Sequence, residues 1–315
     1  MFKLPKGLKQ MGAMPGCKHR SGWPHVMEEL QSRESEDGVL LDDFVERTFQ
    51  QTKRPPVWHE PWIGVFHHPQ NVPQWFESAA ALENILNRRE FKSSRATLVG
   101  GIALTQYLGD WLSNRLDIEV MVTKHPTEIP DKTWRPGGFL SGTPRLVQVG
   151  WWLRNLRGIH QVAVPEGWEK VHLHVNKPWV DRALFRTDRH SPYKERPVIG
   201  DTKVCKDHLS NDEYDNMLSR SVVFMEVFET SANNAVVECI ARNTPIVANR
   251  HPAIVEHLGE NYPLLFDDIS EVPRLLEDDK VMEAHAYLTH MDKTFLSRDV
   301  FCDQIEEFVR RISEE

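Results

Sequence analysis

The stretch from Tyr214 to Asp268 constrains the fold more than any other part of this chain. Val222–Glu226 is an apolar run closed by a carboxylate, Ser231–Asn234 is a small polar loop, and Ala235–Arg242 has helical apolar spacing. Asn243-Thr244-Pro245 breaks that helix, Ile246–Ala248 is a second short strand, and another helix follows. Strands joined through a helix pair in parallel, so the segment is a βαβα unit. The first N–H groups of a helix lack intrahelical acceptors and lie at the positive end of its dipole. The hydroxyl- and amide-rich loop Ser231-Ala232-Asn233-Asn234 therefore predicts an anion site. Glu238, one turn further in, could accept hydrogen bonds from sugar hydroxyls, or could be an ordinary solvated helical glutamate.

The rest of the chain alternates in the same way. Strands are expected at Ile63–Phe66, Ala96–Leu104 and Ile118–Val122, and helices at Pro24–Gln31, Leu40–Val45, Pro73–Arg89 and Thr105–Asn114. His19-Arg20-Ser21-Gly22-Trp23 offers Ser21 as a helix cap and Gly22 as a place of close backbone approach. Residues 129–144 hold three prolines and three glycines without periodicity and predict a linker. Arg145–Gly150, Val171–Val175 and Thr202–Cys205 then open a second α/β unit. Arg182, Arg186, Arg189, Lys194 and Arg196, mixed with acids, read as a solvated loop, and Arg298–Ile312 as a closing helix. The expected architecture is two α/β, Rossmann-like domains, residues 1–140 and 141–315.

Composition narrows the function classes. A chain of 315 residues is long enough for two domains, and a net charge of −8 disfavours a nucleic-acid partner. No apolar run reaches the roughly 18 residues of a membrane span, and the N-terminus has no continuous apolar segment of the secretory kind. Cys17, Cys205, Cys239 and Cys302 lack the spacing of a zinc site or a disulfide framework, so a cytoplasmic protein without a metal is expected. Peripheral contact with a membrane stays open, and nothing in the sequence sets an oligomeric state. Neither a P-loop nor a G-x-G-x-x-G fingerprint is present.

Ligands of open α/β sheets bind beyond the carboxyl ends of the strands. Two further features fall there. Gly150-Trp151-Trp152-Leu153-Arg154-Asn155-Leu156-Arg157-Gly158 places two guanidinium groups after a strand, suited either to phosphate oxygens or to pairing with a surface acid. His67-His68-Pro69 and His125-Pro126 end strands in the first half. His67, His68 and His125 either line a cleft as proton carriers or fix loop carbonyls. Trp58, Trp62, Trp75, Trp134, Trp151 and Trp152 could stack on sugar rings or belong to the core.

Glu238-Cys239-Ile240-Ala241-Arg242-Asn243-Thr244-Pro245-Ile246-Val247 resembles the donor segment of GT-B nucleotide-sugar glycosyltransferases, the retaining ones above all. The resemblance is strongest over residues 145–268. It implies two domains facing a cleft, with the last helix crossing back to the first. It also implies glycosyl transfer from a nucleoside diphosphate sugar to a hydroxyl acceptor, a glycan by default, with no cofactor and no metal. Glu238 would bind the ribose, Arg154 and Arg157 the diphosphate, and Ser231, Asn233 and Asn234 the phosphate or sugar. His67, His68 or His125 would position or deprotonate the acceptor. The family carries a second acid eight positions before the Glu; here that position is Thr230 and the nearest acid is Glu229. Sugar epimerases, phosphorylases and a non-catalytic nucleotide-sugar binder share the same features and remain alternatives.

Overall fold

A computed structural model describes residues 1–5, 23–206 and 209–314. The Ser21 and Gly22 readings therefore fall outside the described residues. Among those described, eleven strands form two fully parallel sheets. The first runs in order β1 (Phe2–Lys3), β2 (Val39–Asp42), β3 (Trp62–Phe66), β4 (Leu98–Ala103) and β5 (Val120–Val122). The second contains β6 (Arg145–Gln148), β7 (Glu169–Leu173), β8 (Lys203–Cys205), β9 (Val222–Met225), β10 (Ile246–Asn249) and β11 (Leu265–Phe266). Its spatial order is β11-β10-β9-β6-β7-β8, so the chain reverses direction across the sheet between β6 and β9.

Parallel strands covered on both faces are apolar throughout, as β3 and β9 are, with every residue buried. The same rule explains a misreading. Leu40-Leu41-Asp42 was expected to be helical and is β2, whose side chains contribute to apolar clusters on both faces of the sheet. A helical segment begins only after it, where Arg47–Gln51 forms a π-turn. The span Pro73–Arg89 is broken into Gln74–Glu77, a 3₁₀ turn and Leu82–Leu86. Of the basic segment read as a loop, Arg182, Arg186 and Arg189 lie instead on a 13-residue helix, Pro178–His190, while Lys194 and Arg196 lie in the turn after it.

Residues of the expected linker also differ from that reading. Trp134 and Phe139 are fully buried in the core of the second sheet, and Trp134 donates its indole N–H to the Ser221 carbonyl at 3.0 Å. The chain crosses back at residues 291–298. The final helix, Arg298–Glu314, lays Phe301, Ile305, Phe308 and Val309 onto Phe2, Leu41, Ile63 and Ile102 of the first sheet. Gly100 in β4 permits that approach, since a Cβ there would stand 3.0 Å from the Phe308 ring.

Candidate functional site

The carboxyl end of β9 feeds the βαβα unit expected from the sequence, and the helix Asn234–Arg242 follows with Asn233 at its N-cap. Asn243 closes it in the left-handed conformation at φ 56°, a position that asparagine tolerates and that turns the chain into β10. Glu238 is only 4% exposed and accepts a 2.7 Å hydrogen bond from the Tyr214 hydroxyl. Burial, reinforced by the Glu238 charge, lifts the Tyr214 phenol well above its usual value, so it donates as a neutral hydroxyl. Beneath them Arg242 pairs with Asp215 at 2.7 Å, both groups buried, and Arg242 also donates to the Glu238 carbonyl. The Glu238 turn is thus held from its own helix and from the one before it.

Arg154 joins this cluster from the loop after β6. Its guanidinium donates to Asn233 Oδ1 at 3.1 Å, and the Glu238 carboxylate is among the groups that favour its ionised form. Desolvation is the larger influence and pulls its pKa down, while Nε has no partner among the described residues. Gly150, at φ +73°, makes the arrangement feasible, because any Cβ there would overlap the Arg154 guanidinium. Arg154, Asn233 and Glu238 therefore surround the N-terminus of one helix, with Asn234 exposed at its first turn.

Arg157 is not part of this group. Its guanidinium grips Asp188 with two hydrogen bonds of 2.6 and 2.8 Å, the surface pairing that the sequence had left as the alternative. Glu229 is 7% exposed and tethered, accepting from His251 Nε2 at 2.8 Å, from Tyr107 at 3.3 Å and from the Thr230 N–H. Ser231 lies 3.2 Å from the Thr105 hydroxyl of the first half. The Glu256 carboxylate receives the N–H groups of Gln106 and Tyr107, at the start of the Gln106–Leu116 helix. The two halves thus meet across the cleft through polar contacts, with Trp152 donating to Glu77 and its ring tilted against that of His68 on one side.

The three histidines resolve toward carbonyl fixing. His67 Nε2 meets the Asp43 carbonyl at 3.0 Å, His68 Nδ1 that of Ala80 at 2.8 Å, and His125 Nδ1 that of Pro126 at 2.7 Å. Desolvation lowers all three, His68 and His125 to about 4, so none is poised to take up a proton near neutrality. Their loop is organised by Glu46, whose Oε1 accepts the backbone N–H groups of both His67 and His68. Burial raises Glu46 to about 8. His251 was missed although the signal was present: it too precedes a proline at a strand end, after β10. Tyr107 and Tyr214 had no local signal, since each reaches its carboxylate from a separate helix. Trp62 and Trp134 are core residues. A surface groove of about 840 Å³ lined by His25, Thr127, Lys293 and Arg298 includes no member of the Arg154 cluster.

Two parallel sheets with facing carboxyl ends, a last helix returning to the first sheet and a polar helix N-terminus after the fourth strand of the second define the GT-B fold. Solved structures of that class superpose on nearly the whole chain. Anabaena HepE in complex with UDP and glucose matches with a TM-score of 0.60 at 12% identity, over 91% of this chain and 81% of that one. An α,α-trehalose-phosphate synthase (UDP-forming) from Burkholderia vietnamiensis gives 0.52 at 12% identity, over 92% and 79%. S. aureus TarM, in complex with fondaparinux, α-GlcNAc-glycerol and UDP, gives 0.57 at 12% identity, over 90% of this chain and 58% of that one. At such identities the likeness is one of fold. No protein-family model matches the sequence, and no curated protein sequence matches it. Among the described residues no helix is long and apolar enough to cross a membrane.

Proposed function

We propose that this protein is a glycosyltransferase that moves a sugar from a uridine diphosphate sugar to a hydroxyl acceptor in glycan synthesis. The observation that carries this reading is the convergence of Arg154, Asn233 and Glu238 on the N-terminus of the Asn234–Arg242 helix. A fixed guanidinium and a helix N-terminus supply positive charge where a diphosphate leaving group develops negative charge, which makes a metal unnecessary. Glu238 accepts the ribose hydroxyls, with Tyr214 holding its other face. Glu229, oriented by His251 and Tyr107, stands beside the transferred sugar, and Ser231 and Asn234 add polar contacts at the loop. His68, neutral and packed near Trp152, positions the acceptor without deprotonating it. Arg157 is left out of the donor site. Uridine is favoured because the similar HepE and TarM structures hold UDP, and retention of the anomeric configuration follows the resemblance of the donor segment.

The test is thermal stability against UDP, GDP, ADP and NAD for the wild type, Arg154→Ala and Glu238→Ala. A ligand at about a hundred times its dissociation constant adds about 2.7 kcal/mol. UDP should stabilise the wild type and neither variant; stabilisation by NAD alone would remove the reading. One observation favours a non-catalytic nucleotide-sugar binder instead, namely that none of the three histidines carries a usable proton acceptor near neutrality. Release of UDP from UDP-sugars in the presence of glycan acceptors separates the two.

A further inference from the structure

Residues 175–206 carry eight Lys and Arg against four Asp and Glu, in a chain whose net charge is −8. Most of that excess surrounds the Pro178–His190 helix. Its inner face is ordinary: Val180 and Ala183 are buried with Phe76, Leu153 and Leu156. The outer face is not. Phe185 is 63% exposed and Trp179 43% exposed, and Arg182 and Arg189 are exposed beside them. At about 100° per residue these four positions fall within roughly a third of the helix circumference. Lys177 places its ammonium 5.9 Å from the Trp179 ring. Val175 and Val204, both exposed, extend the apolar surface at the adjacent ends of β7 and β8, where the His174 N–H meets the Cys205 carbonyl.

The two acids of this helix are already engaged. Asp188 is held by Arg157, and Asp181 accepts from His174 at 3.2 Å. Arg182 and Arg189, by contrast, form no ion pair among the described residues. The face therefore offers unneutralised guanidinium groups interleaved with large aromatic side chains, one charge type and one apolar surface in the same plane. A soluble polyanion would use the cations and leave Phe185 in water. An interface with anionic headgroups and hydrocarbon directly below uses both.

We propose that this face of the Pro178–His190 helix docks the protein on an anionic lipid bilayer. Trp179 and Phe185 enter the interfacial layer, while Lys177, Arg182 and Arg189 meet lipid phosphates. The attachment is peripheral and salt-sensitive. Because the inner face of the same helix packs against Phe76 of the first half, a docked protein would hold one rim of the cleft beside the membrane.

Sedimentation of the full chain with vesicles tests this. Wild type should pellet with phosphatidylcholine vesicles containing phosphatidylglycerol and remain in solution with phosphatidylcholine alone. The pair Arg182→Gln/Arg189→Gln and the pair Trp179→Ser/Phe185→Ser should each lower partitioning about tenfold or more. All these side chains are exposed, so both variants should keep the wild-type thermal midpoint in the absence of nucleotide, a readout independent of the donor-site reading. Failure of the wild type to pellet with anionic vesicles overturns the proposal. So does undiminished pelleting of the aromatic pair, which would make the face a general polyanion surface, or of the arginine pair.

Discussion

The two walls of the cleft are built from similar residue types and use them differently. On the second-sheet wall, Arg154 donates to Asn233 at one helix N-terminus, Glu238 follows one turn in, and Arg154 Nε has no partner among the described residues. On the first-sheet wall, His67, His68 and His125 each use a ring nitrogen on a backbone carbonyl, and Glu46 Oε1 ties down the loop that carries two of them. One wall joins side chain to side chain around a helix N-terminus, and the other uses polar groups to shape backbone. Residue type alone does not distinguish the two; the partners do.

The largest expected effect lies under the second-sheet wall. Asp215→Ala leaves the Arg242 guanidinium buried and unpaired, which should cost about 3–5 kcal/mol in urea unfolding. Next, Arg154→Ala should abolish UDP-dependent stabilisation, about 2.7 kcal/mol at saturating ligand, whereas His68→Asn should retain it. Retention by both, or loss in both, would erase the contrast between the walls.

The third effect is one of pH. Glu46 titrates near 8 in the folded protein and near 4.5 unfolded, so the folded state binds its proton more tightly. Its stabilising contribution is complete below about 4.5 and is lost as pH rises through 8. Glu46→Gln should remove that slope, so the variant gains on the wild type from pH 5 to pH 8, by at most about 1.4 kcal/mol per pH unit. His68 and His125 act in the opposite sense: lowered from 6.5 to about 4, they withdraw stability as pH falls from about 6.5 towards 4. A thermal midpoint difference between Glu46→Gln and wild type that does not change with pH would contradict the buried-acid account. The smallest effect belongs to Arg157→Ala, whose pairing with the half-exposed Asp188 should be worth under about 1 kcal/mol and leave UDP binding intact.

The βαβ frame of the second-sheet wall was legible in the sequence because its logic is local: strand, polar loop, helix and left-handed Asn243 follow one another within some twenty residues. The first wall was not, because Glu46 reaches the His67–His68 loop from a different connection, and no spacing announces that. β2 was misread because Leu40-Leu41-Asp42-Asp43 mimics helical pairing while its burial on both faces is a property of the sheet. The Pro178–His190 helix was missed because its charged residues dominate the composition, although Val180, Ala183, Leu184 and Thr187 have helical spacing. Arg154 and Arg157 looked equivalent until Asp188, thirty-one residues away from Arg157, separated them.

The returning final helix has a consequence for how the protein is made. Phe301, Ile305, Phe308 and Val309 are fully or almost fully buried against the first sheet, each contributing about 1.5–3 kcal/mol. The message therefore encodes β1 to β5 long before one of the layers that cover them, the Arg298–Glu314 helix. On the ribosome β1 to β5 must wait, with one face incomplete, until residues beyond Arg298 have emerged. A gene truncated before Arg298 should yield an aggregating product even though every strand among the described residues is present.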